Sequence, residues 1–284
     1  MSILDFVSLG LVQGLTEFLP ISSSGHLWLL QYFWGMDPDM TLEVFLHGAS
    51  LLAVIVCLRK KIWSLLLSIK YQVLGIKGYA DEFVLSIQLI WATIVTVPVA
   101  LLMEYYVLID LSLKVVAGGL IVTGLLIWVS TKIKGAASTL TWSQATLIGL
   151  IQGVAVLPGI SRSGITIVGL LFMGVRRKEA AEFSFLLSIP TILGALIFTF
   201  KDVASLAFLS EPGFYVAALI CFLVAMGTIH FMLRFIHKWW GIWAIYCLGL
   251  GAFLLLTGKL LLDSNNYLNT LVLRNLRILK FLSS

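Results

Sequence analysis

A carboxylate, a run of three hydroxyls and an imidazole lie close together in an otherwise apolar part of this sequence. Glu17 is followed by Ser22 to Ser24 and then by His26. Ionisable side chains are costly at membrane depth, and they usually mark a functional site there. Gln13 precedes Glu17 by one helical turn, so the two side chains would share one helix face. This stretch is the first candidate for a site.

The same pattern recurs in the second half of the chain with a change of chemistry. GLVQGLTEFLPISSSG occupies 10–25 and GLIQGVAVLPGISRSG occupies 149–164. The second copy lacks the acid, and it has Arg162 at the position of Ser23. One copy therefore supplies an acid and the other supplies a cation.

The composition is that of an integral membrane protein. The 284 residues are 60% hydrophobic and 12% charged, with a mean hydropathy of +1.04. Soluble domains average about 45–50% apolar and about 25% charged residues. Apolar runs reach the length of a spanning helix, and the alternation of a β-barrel is not seen. The net charge of +5 comes from short loops between these runs, so we expect no nucleic-acid partner.

We predict an all-α polytopic membrane protein with about six transmembrane helices and two re-entrant helix hairpins. Pro20 and Pro158 break the two copies, and each second piece is too short to span a membrane. Such breaks are tolerated at membrane depth only when they are buried in protein or line a wet cavity. The predicted spans are 42–58, 83–103, 112–130, 182–200, 214–233 and 240–258.

The positions of the basic residues predict the orientation of the chain. Most of the 19 Lys and Arg residues fall in loops that would share one side, and this excess marks the cytoplasmic side. The first hairpin would then enter from outside and the second from inside, which makes an inverted-topology repeat. Repeats of this kind place their sites where the broken helices meet. The loops concerned are 59–82, 131–140, 176–181 and 234–239.

The domain organisation follows from the repeat. We predict a single membrane domain over 1–284, with repeat 1 at about 1–130 and repeat 2 at about 140–258. Residues 259–284 form an amphipathic tail expected to lie on the membrane. Glu17, Ser23, His26 and Arg162 would converge near the midplane of the bilayer.

Arg162 stands in a Gly- and Ser-rich turn at a predicted helix start. This arrangement offers free backbone N–H groups, the positive end of the helix dipole and a bidentate cation, which together suit phosphate. His26 is suited to act as base, acid or nucleophile. His47 lies in an apolar span, and we expect it to be a packed, hydrogen-bonded residue. Glu43 would be a helix N-terminal acid.

These motifs resemble the undecaprenyl-pyrophosphate phosphatase family, also called bacitracin-resistance proteins. The family's (E/Q)-x-x-x-E motif corresponds to Gln13 through Glu17, and its Ser-Ser-x-Gly-His run to Ser22 through His26. Its second signature, P-G-x-S-R-S-x-x-T, matches Pro158 to Thr166 at every fixed position. The resemblance extends over essentially the whole chain.

The resemblance implies hydrolysis of undecaprenyl diphosphate to undecaprenyl phosphate, with recycling of the lipid carrier and bacitracin resistance. It implies a bacterial cytoplasmic membrane protein whose site opens toward the outer, periplasmic face. Activity would depend on a divalent cation, Mg²⁺ or Ca²⁺. The partners would be a polyprenyl diphosphate and membrane lipids.

The resemblance also implies roles for individual residues. Arg162 would hold the diphosphate, and Glu17 would bind the metal or act as a base. Ser23 or His26 would be the nucleophile or proton-transfer partner, and the sequence leaves that choice open. Gln13 stands where many family members have Glu, which leaves more of the metal binding to Glu17. Residues expected to bind substrate are Gln13, Ser22, Ser161, Ser163 and Thr166.

Two other functions compete with this one. A lipid-phosphate flippase or transporter would also use inverted repeats and an Arg at the midplane, but it needs no nucleophile. A lipid phosphatase of the acid-phosphatase type needs a second His followed by an acid, and that pattern is missing after Arg162. A homodimer through the small residues Gly118, Gly119 and Gly124 and the prenyl chain-length preference are left open.

Overall fold

The structure is a computed structural model that describes residues 1–36, 40–76, 78–107, 112–200 and 211–282, without the side chains of 40, 104–107 and 259–282. The regular structure of the described residues is helical, with turns and loops between the helices and one isolated bridge between Ala137 and Val175, which confirms the all-α prediction. The helices are α1 Ile3–Thr16, α2 Ser23–Phe33, α3 Met40–Cys57, α4 Arg59–Val73, α5 Ala80–Val107, α6 Leu113–Ser130, α7 Trp142–Val154, α8 Arg162–Phe172, α9 Arg177–Thr199 and α10 Pro212–Leu282.

Several of these helices are able to cross a membrane. By length and composition, α5, α6, α9 and α10 qualify within the described residues. A fifth candidate is the pair α3 and α4, whose axes differ by 80° at the break between them. The protein is thus a multi-pass helical membrane protein with four to five candidate spans, and the predicted total of six stays a prediction.

Helix α10 replaces a predicted loop. We expected 234–239 to separate two spans because Arg234, His237 and Lys238 are polar or basic, but this stretch is helical. The prediction of a loop at 234–239 is therefore wrong. A basic stretch can remain helical, because its long side chains extend toward water while the backbone stays hydrogen-bonded.

The contacts of α10 nevertheless require it to bend. Gly14 packs against the backbone of Cys221, and the Sγ atom of Cys247 lies 3.7 Å from the carbonyl oxygen of Pro20. Gly14 and Pro20 are at most about 22 Å apart along the chain. The part of α10 between the two cysteines would be about 39 Å long if straight. It bends between them, so that both arms reach the same region.

The first helix of each sequence copy packs closely on a longer helix through glycine. A Cβ atom on Gly10 of α1 would lie 2.4 Å from the backbone oxygen of Ala217 on α10. A Cβ atom on Gly149 of α7 would lie 2.5 Å from the backbone oxygen of Ala92 on α5. Small residues are what allow such close approach between membrane helices. The two copies thus use corresponding glycines against different partners.

Both copies break where the prolines predicted. Helices α1 and α7 are 14 and 13 residues long, and the following α2 and α8 are 11 residues each. A spanning helix needs about 20 residues, so each second piece is short, as expected. Ser22 and Ser161 cap α2 and α8 by accepting from the N–H groups of Gly25 and Gly164. The re-entrant and inverted arrangement in a membrane stays a prediction.

Two of the glycines considered for a dimer face are covered inside the protein. Gly119 packs against Pro158 and Gly159, and Gly124 packs against Leu248. Gly118 has open space around its Cα. The homodimer stays a prediction, and Gly119 and Gly124 do not support it because they already pack against other parts of the same chain. The tail at 259–284 is helical to Leu282, but its side chains lie outside the described residues, so its position on the membrane is also still a prediction.

Candidate active site

Glu17 lies at the centre of the site, directly after α1. Its residue is 5% exposed, and its carboxylate accepts two hydrogen bonds from neutral groups. The Gln13 amide donates to Oε2 at 3.1 Å, and the Ser23 hydroxyl donates to the same oxygen at 2.5 Å. The turn between α1 and α2 therefore brings the acid onto the hydroxyl six residues further along the chain.

Two basic side chains face the same carboxylate. Arg162, the first residue of α8, forms an ion pair with Oε1 of Glu17. The Nε2 atom of His47, on α3, lies 3.5 Å from Oε2. A buried carboxylate is tolerated when it is paired and hydrogen-bonded, and Glu17 is both. The acid of the first copy and the cation of the second copy thus meet, as the sequence predicted.

One terminal nitrogen of the Arg162 guanidinium has no hydrogen-bond partner among the described residues. Its Nη2 atom is used by Glu17, while its buried Nη1 atom has no hydrogen-bond partner among the described residues. A buried guanidinium donor without a partner is costly. Because Arg162 also stands at the N-terminus of α8, where backbone N–H groups point outward, this corner of the site is suited to an anion.

The serines of the second copy hold the Arg162 turn in place. The backbone N–H of Ser161 donates to Thr123 Oγ1 on α6 at 3.1 Å. The hydroxyl of Ser163 donates to the Leu19 carbonyl at 3.1 Å, which ties the second turn to the first. The Thr166 hydroxyl bonds to Ser184 on α9 at 2.7 Å. These contacts fix the start of α8 against three other parts of the fold.

His26 is held beside the carboxylate cluster. Its Nδ1 atom lies 2.7 Å from the carbonyl oxygen of Ser22, and its Nε2 atom lies 2.7 Å from the hydroxyl of Tyr246. Because a carbonyl oxygen only accepts, Nδ1 must carry a proton, and the neutral ring accepts at Nε2 from Tyr246. Among the contacts of the described residues, none joins His26 to Glu17 or Arg162.

Ser22 adopts an unusual backbone conformation at this point. Its φ is 71°, and among the described residues it is the one non-glycine with a positive φ. Such conformations cost on the order of 1–3 kcal/mol and concentrate at functional sites. At Ser22 this conformation turns the chain into α2, so that Ser23 becomes the first helical residue and faces Glu17.

The comparison with known proteins decides the family. The family model described as "Bacitracin resistance protein BacA" matches residues 6–253 of the chain. The chain belongs to this family. The match includes both broken helices and every residue of the cluster around Glu17.

Several curated relatives of this BacA-family chain carry the same name. A protein named undecaprenyl-diphosphatase from Desulfosudis oleivorans is 37% identical over 265 residues, which cover 89% of this chain and 97% of the relative. One from Treponema denticola is 39% identical, over 84% of this chain and 90% of the relative. One from Desulforapulum autotrophicum is 38% identical, over 91% of this chain and 99% of the relative.

The structure separates the predicted site residues of this BacA-family chain into groups. Gln13, Glu17, Ser23 and Arg162 come together in one cluster. Ser22 and His26 are adjacent to it, as described above. The hydroxyls of Ser161 and Ser163 lie 3.2 Å from each other, and Thr166 is fully buried. The roles proposed for all of these residues stay predictions.

Sequence reasoning missed two residues of the site. We expected His47 to be packed in a span, but its side chain is 27% exposed and faces Glu17. Its Nδ1 atom bonds to the Glu43 carbonyl one turn earlier, which aims Nε2 at the carboxylate. Tyr246, the partner of His26, lies 220 residues away in the chain. No local pattern marks either contact, because both depend on how α3 and α10 pack.

The cluster offers oxygen ligands for a divalent cation. Mg²⁺ usually binds one or two carboxylates together with substrate phosphates and water. Glu17 is the carboxylate here, and the buried Oε1 atom of Gln13 has no hydrogen-bond partner among the described residues. The described residues contain no group of three or more His, Cys, Asp or Glu side chains suited to a metal. The divalent cation therefore stays a prediction, with Glu17 and the amide oxygen of Gln13 as its candidate ligands.

Proposed function

We propose that this protein hydrolyses undecaprenyl diphosphate to undecaprenyl phosphate and inorganic phosphate, the activity in the names of its relatives. It would thereby recycle the lipid carrier for cell-envelope synthesis and confer bacitracin resistance. The observation that carries the proposal is the contact of a buried acid with both a serine hydroxyl and an arginine. We place the protein in the bacterial cytoplasmic membrane, with the site opening toward the outer face.

Arg162 is the residue that would bind the diphosphate. Its free Nη1 donor supplies one hydrogen bond, and Nη2 supplies a second when it exchanges Glu17 for a phosphate oxygen. Arginine pairs with phosphate in a bidentate manner, and the helix N-terminus of α8 adds favourable electrostatics. Binding of this kind positions the terminal phosphorus beside the hydroxyl of Ser23.

Ser23 is the nucleophile in the mechanism we favour. Glu17 accepts the proton from the Ser23 hydroxyl while Oγ bonds to the terminal phosphorus, and the bond from that phosphorus to the bridging oxygen breaks. Undecaprenyl phosphate leaves with the bridging oxygen. Glu17 gives its proton to the departing undecaprenyl phosphate. Water then attacks the phosphorus of the phosphoserine, and the bond from phosphorus to Oγ breaks. Glu17 takes a proton from this water and returns it to Oγ, and inorganic phosphate is released. The hydrogen bond from Ser23 to Glu17 provides the starting geometry.

His26 suits this role less well. Its only acceptor nitrogen is occupied by the Tyr246 hydroxyl, whereas Ser23 already donates to the acid. We therefore assign His26 a positioning role, through its bond to the carbonyl of Ser22. This bond supports the unusual backbone conformation that presents Ser23.

The divalent cation would be held by Glu17 and Gln13. When bound, it would neutralise negative charge on the diphosphate. The amide of Gln13 already aligns the carboxylate through its own N–H group, which leaves the amide oxygen for the cation.

Phosphate release from purified protein tests the proposal. Wild type, Glu17→Ala and Arg162→Ala are incubated in detergent with undecaprenyl diphosphate, with and without a chelator. We expect release by wild type, loss with chelator, and a fall of at least about a hundredfold in both variants, because preorganised electrostatic groups contribute on this scale.

A second ion pair provides the control for that experiment. Arg176 and Glu179 lie 2.8 Å apart with side chains 50% and 29% exposed. Arg176→Ala and Glu179→Ala remove the same charges from the surface and should leave the rate within about twofold, since exposed pairs contribute little. If folded wild type releases no phosphate under any metal condition, the hydrolase assignment fails and a lipid-phosphate transporter becomes the better explanation.

A further inference from the structure

A wholly apolar groove opens beside the turn that carries Arg162. It has a volume of about 280 Å³, and it lies between α6, α7 and α8. Val122 contributes from α6, Ile151 from α7, and Ile165 and Phe172 from α8. None of its lining residues has a polar side chain, so the groove has no means of holding a headgroup by itself.

One end of the groove lies at the turn that carries Arg162. Ile160 lines it and immediately precedes Ser161 and Arg162. Ile165 and Gly169 then follow Arg162 at spacings that keep them near one face of α8. From Ile165 to Phe172 this face is about 10 Å long. The groove therefore begins one helical turn from the cation and runs along α8 away from it.

An anion-binding group thus stands between two residues of the chain, Ile160 and Ile165, that line an apolar groove. The buried Nη1 atom of Arg162 lacks a partner among the described residues, which points to a negatively charged ligand beside the turn where the groove begins. A membrane lipid chain that merely entered the groove would leave this donor unpaired. A molecule with a phosphate head joined directly to a hydrocarbon chain satisfies both features.

We propose that the groove between α6, α7 and α8 holds the isoprene units of the substrate that are nearest to the diphosphate. This inference rests on the proposed function, and it adds the path by which the lipid chain leaves the site. The groove gives part of the specificity for a prenyl substrate, while Arg162 recognises its head. A chain anchored in this way is positioned before any chemical step begins.

Two valines on α6 provide a matched pair for the test. Val122 lines the groove and is 45% exposed, whereas Val129 is 58% exposed and is absent from the lining. The two lie seven residues apart, which places them on the same face of the helix. Val122→Trp fills the groove, and Val129→Trp adds the same bulk to α6 outside it.

The kinetic constants of these variants are measured with undecaprenyl diphosphate in detergent micelles. Val122→Trp should raise KM about tenfold and leave kcat close to that of wild type. A tenfold change corresponds to ~1.4 kcal/mol, roughly the burial of two methylene groups. Val129→Trp should leave both constants close to wild type. Val122→Phe is the milder companion if the tryptophan variant is not recovered as folded protein.

Results that would overturn this inference differ from the result that would reject the proposed function. An unchanged KM in folded Val122→Trp, or in Val122→Phe if that companion replaces it, would show that the groove holds bulk lipid and would overturn the inference. A lower kcat at unchanged KM, or an equal rise of KM in both tryptophan variants, would overturn it as well. Failure of wild type itself to release phosphate would instead reject the proposed function.

Discussion

Gly25 and Gly159 bring the two broken segments into backbone contact. A Cβ atom on Gly25 would lie 3.1 Å from both the nitrogen and the Cα atom of Gly159. This is tighter than side chains usually tolerate, so the first turn of α2 meets the turn before α8 with no side chain between them. The contact is what allows Ser23 and Arg162, each the first residue of its helix, to reach the same carboxylate.

The glycines of α6 should differ sharply in tolerance because they face different surroundings. A Cβ atom on Gly119 would lie 2.5 Å from the Pro158 carbonyl oxygen, whereas Gly118 has nothing within 4 Å. Gly119→Ala should displace the Arg162 turn and lower both the thermal midpoint and the activity. Gly118→Ala should preserve activity and stabilise α6 by up to ~1 kcal/mol. Thermal unfolding in detergent and phosphate release measure the two properties, and equal midpoints and equal activities of the two variants would contradict this packing.

Substitution of the adjacent residues Ser23 and Ser24 should distinguish a catalytic hydroxyl from a hydroxyl that only contributes to packing. Ser23 and Ser24 are both half-buried, but the Ser23 hydroxyl donates to Glu17, while that of Ser24 lies 3.4 Å from the Ser22 hydroxyl. Ser23→Ala should lower kcat by at least about a hundredfold, as expected when a group that takes part in proton transfer is lost. Ser24→Ala should keep most of the activity. A Ser23→Ala variant with near-normal kcat would rule out Ser23 as the nucleophile.

Removal of the Tyr246 hydroxyl tests whether His26 has a positioning role or is the attacking group. Tyr246→Phe removes the partner of Nε2 without touching Glu17 or Ser23, so kcat should change by no more than about threefold, or ~0.6 kcal/mol. Tyr32→Phe, another half-exposed tyrosine that stacks on Trp28, is the control. A change of about tenfold or more in Tyr246→Phe alone would favour His26 as the attacking group.

The ion pair between Glu17 and Arg162 should be needed for activity, whereas stability should require only that neither charge is left buried alone. Arg162→Met leaves Glu17 as a buried charge without its arginine, and it should destabilise the protein by about 3–5 kcal/mol. Replacing both residues, as in Glu17→Leu with Arg162→Met, should restore stability, because apolar substitutes for a buried pair are often neutral or better. Denaturation in detergent and phosphate release measure the two effects. A double variant less stable than Arg162→Met would contradict this expectation.

The sequence predicted the local features of the site because each has a local cause. Pro20 and Pro158 mark the breaks, since proline cannot continue a helix without losing a hydrogen bond, and the divergence of the copies identified Glu17 and Arg162. The length of α10 was not predicted. The basic residues at 234–238 indicate exposure to water, but they do not determine whether the backbone there is helical. His47 and Tyr246 were missed because their partners are distant in the chain.

The ion pair between Glu17 and Arg162 also bears on turnover. An arginine that binds the phosphates of a substrate will also bind the inorganic phosphate that remains after cleavage. Glu17 is attached to the same fold, so it competes for that arginine at a high effective concentration, while the product competes only at its concentration in solution. In the proposed mechanism, re-formation of the ion pair therefore favours departure of the product and clears the site for the next molecule of substrate.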